Sequence, residues 1–414
     1  MDNSSARKTW RLIIGEREFS LFIFTRFIII FSLFLQTTVV SYLMYKLTKN
    51  PLSLGLIGLA EVIPAFGFAF VAGYFVDKRI KRNVYLACVV FYVINSLLVL
   101  GITTRYFMQN NSTQTIEGLI YLTMFLSGSI RAFLAPASFS LLPLLVKKDD
   151  LPQAITWSST SWMLGSVLGP LAGGLLMAQI GVSFTISISV LLLFIAVFCM
   201  LNIKPKDTIP MKDVGIIEGL KQGFRFVFKT EVILAVLCLD LFAVLFGGAE
   251  ALLPVFSSEI LKVGEVGYGW LRSAHGIGSI ILLFVLAYLP LKNNIGMKLL
   301  VSVFLFGLCI LLFGISTNVY LSFFLLLSAG LFDGVSVVIR HSILQLNTPE
   351  ELKGRVSSIN MMFISSSNEL GAFESGFTAR LMGTVSAVVF GGMMTMLVVG
   401  FTYFKAPSLK KLKL

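Results

Sequence analysis

The residues best placed to do chemistry in this sequence are ionisable side chains set inside long apolar runs. Asp333, Glu369, Asp240 and Glu61 carry carboxyls there, and Arg131 and Arg26 carry guanidiniums. A charge at the centre of a membrane helix costs at least about 2.5 kcal/mol, so such residues persist mainly where they do work. A carboxyl surrounded by apolar groups is cheaper to hold neutral than one in water. It can therefore load and unload a proton as its surroundings change, which is what proton-coupled transport requires. Asp333, Asp240 and Glu369 are the leading candidates, Asp333 first. Arg131 and Asp333 fall near the middle of equivalent runs and could face each other across a central cavity. Buried ion pairing, or reaching to the interface, is the competing role for each charge. It weighs most for Arg26, Glu250, Arg272 and Arg340; Glu374 is a further acidic candidate. Neither His275 nor His341 has a second ligand at metal-binding spacing, so no metal is expected and structural roles are assigned to both. The four cysteines, Cys88, Cys199, Cys238 and Cys309, read as buried structural thiols.

The elements that hold these residues must be membrane helices. Of 414 residues, 56% are hydrophobic and only 13% are charged, about half the charge of a soluble domain. Mean hydropathy is +0.89. A soluble enzyme, a disordered chain and a disulfide scaffold are excluded. Runs of about 20 apolar residues, enough to cross a bilayer, fall near 20–45, 52–76, 84–104, 117–145, 155–178, 184–203, 231–260, 267–290, 296–316, 319–346, 356–382 and 384–403. They are continuous rather than alternating, so the fold is an all-α membrane protein with twelve transmembrane helices, not a barrel. The first run exceeds a signal-peptide core and lacks a small-residue cleavage site, so it is expected to stay. With both termini cytoplasmic, twenty-four Lys and Arg lie in inner connections and five in outer ones, as the positive-inside rule demands. The net charge of +12 then faces anionic lipid on the cytoplasmic leaflet; it needs no nucleic acid.

The longest hydrophilic stretch divides the chain into six spans and six. The expected organisation is an N-terminal bundle over 1–203, a cytoplasmic amphipathic linker over 204–230 and a C-terminal bundle over 231–414. Within the linker Ile217, Leu220, Phe224 and Val227 recur at helical spacing, with Lys221, Arg225 and Lys229 elsewhere on the wheel. A helix lying on the leaflet is predicted. LVKKDDLPQAITW after span 4 and LNTPEELKGRVSSIN after span 10 align with Leu145 on Leu346, an offset of 201 residues. Parallel six-helix repeats place a transport site between the halves.

Two motifs narrow the class. Span 2 ends GYFVDKRIKR, which sets Gly73 one turn before Asp77 and follows it with Lys78, Lys81 and Arg82. Asp77 at a helix C-terminus is electrostatically unfavourable and wants a partner. This segment resembles the signature between helices 2 and 3 of the major facilitator superfamily, with Ile80 where a glycine is usual. That resemblance implies that Asp77 docks near Val356–Ser358 and latches one conformational state. Span 5 carries GSVLGPLAGG. Gly165, Gly169 and Gly173 form a smooth stripe, with Pro170 and Gly174 beside it, suited to close helix packing and to a tight hinge between bundles. The string matches the helix 5 pattern of proton-coupled drug exporters in the same superfamily. The segments APASFSLLPLLV, GFRFVF and PEELKGRV look like the subfamily of bacterial macrolide efflux proteins and the enterobactin exporter.

The resemblance implies a secondary active transporter in a bacterial cytoplasmic membrane. It would export a small amphipathic molecule, drug-like or siderophore-like, in exchange for protons. The implied partners are that molecule, protons and the bilayer, and a monomer with no cofactor is expected. An importer or facilitator is the rival within transport. A membrane enzyme or sensor would need a nucleophile–base set, a metal cluster or a soluble domain, and the sequence offers none. Cargo stays open.

Overall fold

A computed structural model of the protein describes residues 16–206, 216–288, 294–349, 352–410 and 412. Among them no strand occurs and long helices dominate. These are α1 (Arg17–Thr48), α2 (Pro51–Asp77), α3 (Lys81–Thr103), α4 (Thr113–Leu141), α5 (Leu151–Ile180), α6 (Val182–Leu201), α7 (Glu231–Phe246), α8 (Gly264–Tyr288), α9 (Ile295–Ile315), α10 (Val319–Asn347), α11 (Lys353–Met382) and α12 (Thr384–Lys405). A shorter helix over Ile216–Lys229 lies between α6 and α7. The continuous apolar runs become helices because a helix satisfies every backbone polar group within its own segment. Eleven segments, all but α11, are long and apolar enough to cross a membrane. The 30-residue α11 carries Lys353, Arg355, Glu369, Glu374 and Arg380, which dilute its apolar character.

Local chemistry sets the ends. Asn318 caps α10 by accepting from the Leu321 amide at 3.1 Å, and Ser112 caps α4 through Thr115. The two breaks with almost no connecting residues, between α5 and α6 and between α11 and α12, fall at Gly181 and Gly383. Their φ values are 82° and 88°, a region open to glycine and strained for other residues. They stand 202 positions apart, beside the offset of 201 read from the loops.

The chain divides into two compact units, residues 1–43 with 63–212, and 44–62 with 213–414. The first unit is built on α3 between α4 and α6, with Phe22 of α1 against Tyr85 at 5.4 Å between ring centroids. Gln36 of α1, buried, donates to Ser96 of α3 at 2.5 Å and Ser189 of α6 at 2.7 Å, so a polar clasp joins three apolar helices. The α5 glycine stripe packs on α1: a methyl at Gly165 or Gly169 would come within 2.8 Å of Ile30, Phe31 and Phe34, and one at Gly173 within 3.2 Å of Leu35. The atoms nearest the stripe belong to the same unit. A small-residue stripe announces close packing but not which helix does the packing.

In the second unit α8 crosses α10 at glycines. The Gly330 backbone meets the His275 carbonyl and Gly278 meets the Leu327 carbonyl. Helix α7 stops at Gly247–Gly248. The chain then continues as a 3-10 turn (Ala249–Leu252), a short α turn holding Pro254 and a π-helical turn (Phe256–Ile260). The break is held by α11, where Ser375 donates to the Gly248 carbonyl at 3.1 Å. The amphipathic connector helix does not offer its whole apolar face to a lipid surface. Val227 is fully buried with Ile233, Leu237, Leu344, Val356 and Ile359, and Phe224 packs against that group. Gly223 fits against Arg355. At Val227 and Phe224, therefore, protein covers the apolar stripe. The stretch 207–215 lies outside the described residues.

Candidate functional site

The polar groups of the second unit converge on α8 and α10. Arg272, His275 and Ser279 lie at helical spacing on one face of α8. The glycine crossing draws this face onto α10, where Ser279 donates to the Gly330 carbonyl at 2.9 Å. One turn along, His275 Nε2 stands 3.3 Å from Asp333 Oδ2. The other ring nitrogen, Nδ1, stands 3.4 Å from Glu250 Oε1, which enters from the broken end of α7. Phe306 of α9 closes the side of the imidazole edge-on at 6.3 Å. Arg272 bonds the Tyr268 hydroxyl at 2.7 Å and has Glu250 and Glu369 as its acidic neighbours.

Asp333 also borders a small cavity with Asp240, Ala243, Val244, Val303, Phe306 and Ser336. Its volume of about 10 Å³ sits at the lower limit for one water molecule. Across it Asp240 of α7 is ion-paired with Arg340 of α10. Exposure is highest at one end of this set and lowest at the other. The Glu250 side chain is 51% exposed, Asp333 26% and His275 22%, whereas Asp240 is 7% and Arg340 4% exposed. The arrangement is a string of titratable groups from a half-exposed carboxylate to a buried ion pair.

The other sequence candidates are scattered. Arg26 of α1 bonds Ser138 of α4 and the Ser158 carbonyl of α5, a tie within the first unit. Arg131, on α4, belongs to that unit and Asp333 to the second; the partner found for Asp333 is His275. Glu61 of α2 is buried and belongs to the second unit. There α2 approaches α11 so closely that a methyl at Gly58 would lie 3.0 Å from the Glu369 carbonyl oxygen. In the expected latch Lys78 lies over the Tyr74 ring at 4.1 Å. Lys81 donates to the Val76 carbonyl at 2.7 Å, and Arg82 donates to the Ile203 and Leu201 carbonyls at 2.9 and 3.0 Å. These bases thus satisfy the carbonyl ends of α2 and α6. Around Gly73 a methyl would meet open space. The side chain of Asp77, and with it the expected dock, lies outside the described residues.

His275, assigned only a structural role from the sequence, is the residue that joins Glu250 and Asp333. Its signal was the polar stripe it forms with Arg272 and Ser279 and the glycines that set α8 on α10. A search for metal-ligand spacing could not register it, because each ring nitrogen faces a different carboxylate. No group of three or more metal-binding side chains occurs among the described residues.

A family model described as the Major Facilitator Superfamily matches residues 22–372. The chain belongs to that superfamily. It is a multi-pass membrane protein of that superfamily. The superfamily member is 24% identical over 273 residues to the enterobactin exporter EntS of Escherichia coli O1:K1 / APEC, covering 66% of this chain and 65% of the exporter. It is 25% identical over 274 residues to the exporter of the same name from Shigella boydii serotype 18. The match thus spans just under two thirds of these relatives' length. In three dimensions it resembles a POT family transporter in complex with 5-aminolevulinic acid, with a TM-score of 0.72 at 12% identity over 95% of this chain and 97% of the other. It also resembles the nucleoside transporter NupG, with a TM-score of 0.67 at 14% identity over 95% and 98%. At these identities the likeness is one of fold alone.

Proposed function

We propose that this transporter exports a small amphipathic molecule, drug-like or siderophore-like, across a bacterial cytoplasmic membrane in exchange for protons. It works by alternating access between two six-helix halves, 1–203 and 231–414, joined by 204–230. Both termini are cytoplasmic and α11 completes twelve spans. The observation that carries the proton coupling is the string Glu250–His275–Asp333 ending beside Asp240–Arg340. It concentrates titratable groups in one unit of a chain otherwise poor in charge. Groups of this kind inside a transporter mark ion pathways. The outward direction is supported by the GSVLGPLAGG string of α5 and by the relatives named as exporters. Asp333 is the leading coupling group, with Asp240, Glu369 and Glu61 as further acidic members. Asp77, Lys78, Lys81 and Arg82 bias one conformational state.

The test is proton-gradient-driven uptake into inside-out vesicles, with enterobactin, erythromycin and a lysophospholipid as probes. Wild type should accumulate at least one of them with a gradient and lose that accumulation with an uncoupler. Asp333→Asn should lower gradient-driven uptake by on the order of tenfold. Gradient dependence unchanged in the variant removes Asp333 from coupling. Flux in wild type that ignores the gradient replaces antiport with facilitated passage.

A further inference from the structure

We infer that His275 is a two-sided proton carrier, taking protons at Nδ1 from Glu250 and delivering them from Nε2 to Asp333. The inference deepens the antiport reading and rests on it for its purpose, although the chemistry at His275 can be observed without any cargo.

The argument starts from counting protons. A neutral imidazole donates from one nitrogen and accepts at the other. Two ionised carboxylates offer only acceptors. The Asp333 contact at 3.3 Å is a hydrogen bond and the Glu250 contact at 3.4 Å is an ionic one that must close for a proton to pass; once it closes, both are hydrogen bonds in only two ways. Either the ring carries two protons, or one carboxyl is protonated. The three groups thus share one proton beyond the neutral ring with two ionised carboxylates, and its location is what can change. A proton arriving on Glu250 passes to Nδ1, leaving the Glu250 carboxylate and an imidazolium. The proton on Nε2 then passes to Asp333, leaving a neutral ring in the opposite tautomer and a neutral aspartic acid. One proton has entered and one has left the ring, so the charge balances, and a ring flip or a return proton restores the first tautomer.

The surroundings give the exchange a direction. Glu250 is the half-exposed end, next to the break in α7, where a proton can enter from solvent. Asp333 borders the cavity shared with Asp240, so a neutral Asp333 no longer presents a second negative charge beside Asp240–Arg340. Of the elements packed on the ring, α8 contributes Arg272, the segment after α7 contributes Glu250, α10 contributes Asp333 and α9 contributes the apolar edge of Phe306. Glu369 of α11 acts through Arg272. The cation of Arg272 attracts Glu250 without competing for a proton. Broken and π-helical turns concentrate at functional sites, and the only titratable side chain in the 3-10 turn after the break is Glu250.

Two measurements test this. The first needs no cargo. The protein has two histidines, so 15N-histidine labelling in lipid nanodiscs gives two ring systems, and His341→Gln leaves only that of His275. Across a titration carried from about pH 5 to 10, wider than the window of an unperturbed imidazole, the two nitrogens of His275 should change together. Glu250→Gln should perturb chiefly Nδ1, and Asp333→Asn chiefly Nε2. A ring that keeps one tautomer and fixed shifts across that range, or that ignores both substitutions, overturns the inference. The second measurement uses inside-out vesicles and enterobactin, erythromycin and a lysophospholipid, with His275→Gln and His275→Asn. Each amide replaces the ring without a path for a proton through it. Gradient-driven uptake should fall by on the order of tenfold, while gradient-free counterflow stays within about twofold of wild type. Gradient-driven uptake preserved in both variants overturns the inference and leaves antiport standing. Absence of gradient dependence in wild type overturns antiport, and the nuclear resonance result still decides whether His275 carries protons.

Discussion

At the scale of single residues, the strongest structural commitment is the ion pair of Asp240 and Arg340, at 7% and 4% exposure. Taking both charges out of water is expensive, and the pair persists because each compensates the other. Removing one partner strands the second, so Arg340→Leu or Asp240→Leu alone should cost about 3–5 kcal/mol. Asp240→Leu with Arg340→Met should recover most of it, since an apolar pair of similar volume carries no stranded charge. Unfolding in detergent, followed by circular dichroism for both singles and the double, checks this. A double variant less stable than either single would reject the compensation. The charges were legible as a list, because hydrocarbon makes every ionisable side chain conspicuous. Their partners were not. Within its own unit Asp333 has His275 as its neighbour, set there by an α8–α10 crossing that no spacing along the chain encodes.

At the scale of elements, glycine has opposite meanings in the two motifs. On α5 the stripe lets α1 approach to contact, so Gly169→Leu should cost about 1–3 kcal/mol by overpacking and push α1 away. At Gly73 there is open space, so Gly73→Ala should be neutral or stabilise the helix by about 0.4–1 kcal/mol. Thermal unfolding of the two variants distinguishes these outcomes, and transport by Gly73→Ala reports on the latch separately from stability. If Gly73→Ala destabilises as much as Gly169→Leu, the packing assigned to α2 is wrong. The connector helix teaches a related point. Its 3.6-residue period was plain, but a period says only that one face is apolar. At Val227 it is protein that covers that face, because α7, α10 and α11 present Ile233, Leu344 and Val356 beneath it.

At the scale of the whole molecule, topology follows from where Lys and Arg fall. Cysteine labelling on a background without Cys88, Cys199, Cys238 and Cys309, all of them free thiols, measures it directly. Single cysteines replacing Asn110, Lys262 and Thr384 should react from outside only. Those replacing Lys148, Thr348 and Lys410 should react from inside only. The pair at 348 and 384 brackets α11, and labelling of both from one side would mean that α11 does not cross. The likeness to transporters of other chemistries at 12% and 14% identity indicates how little of this architecture depends on particular side chains.

The sequence by itself determined that the chain is a helical membrane protein, where its helices run and which charges are costly there. Each of these follows from local composition and from the need of every backbone group for a partner in hydrocarbon. The α7 break lay hidden, because Gly247–Gly248 and Pro254 are ordinary in an apolar run until α11 bonds the freed carbonyl. Only the tertiary structure decided that Glu250, His275 and Asp333 form one string, since they come from three segments whose closeness depends on backbone contact at Gly278 and Gly330.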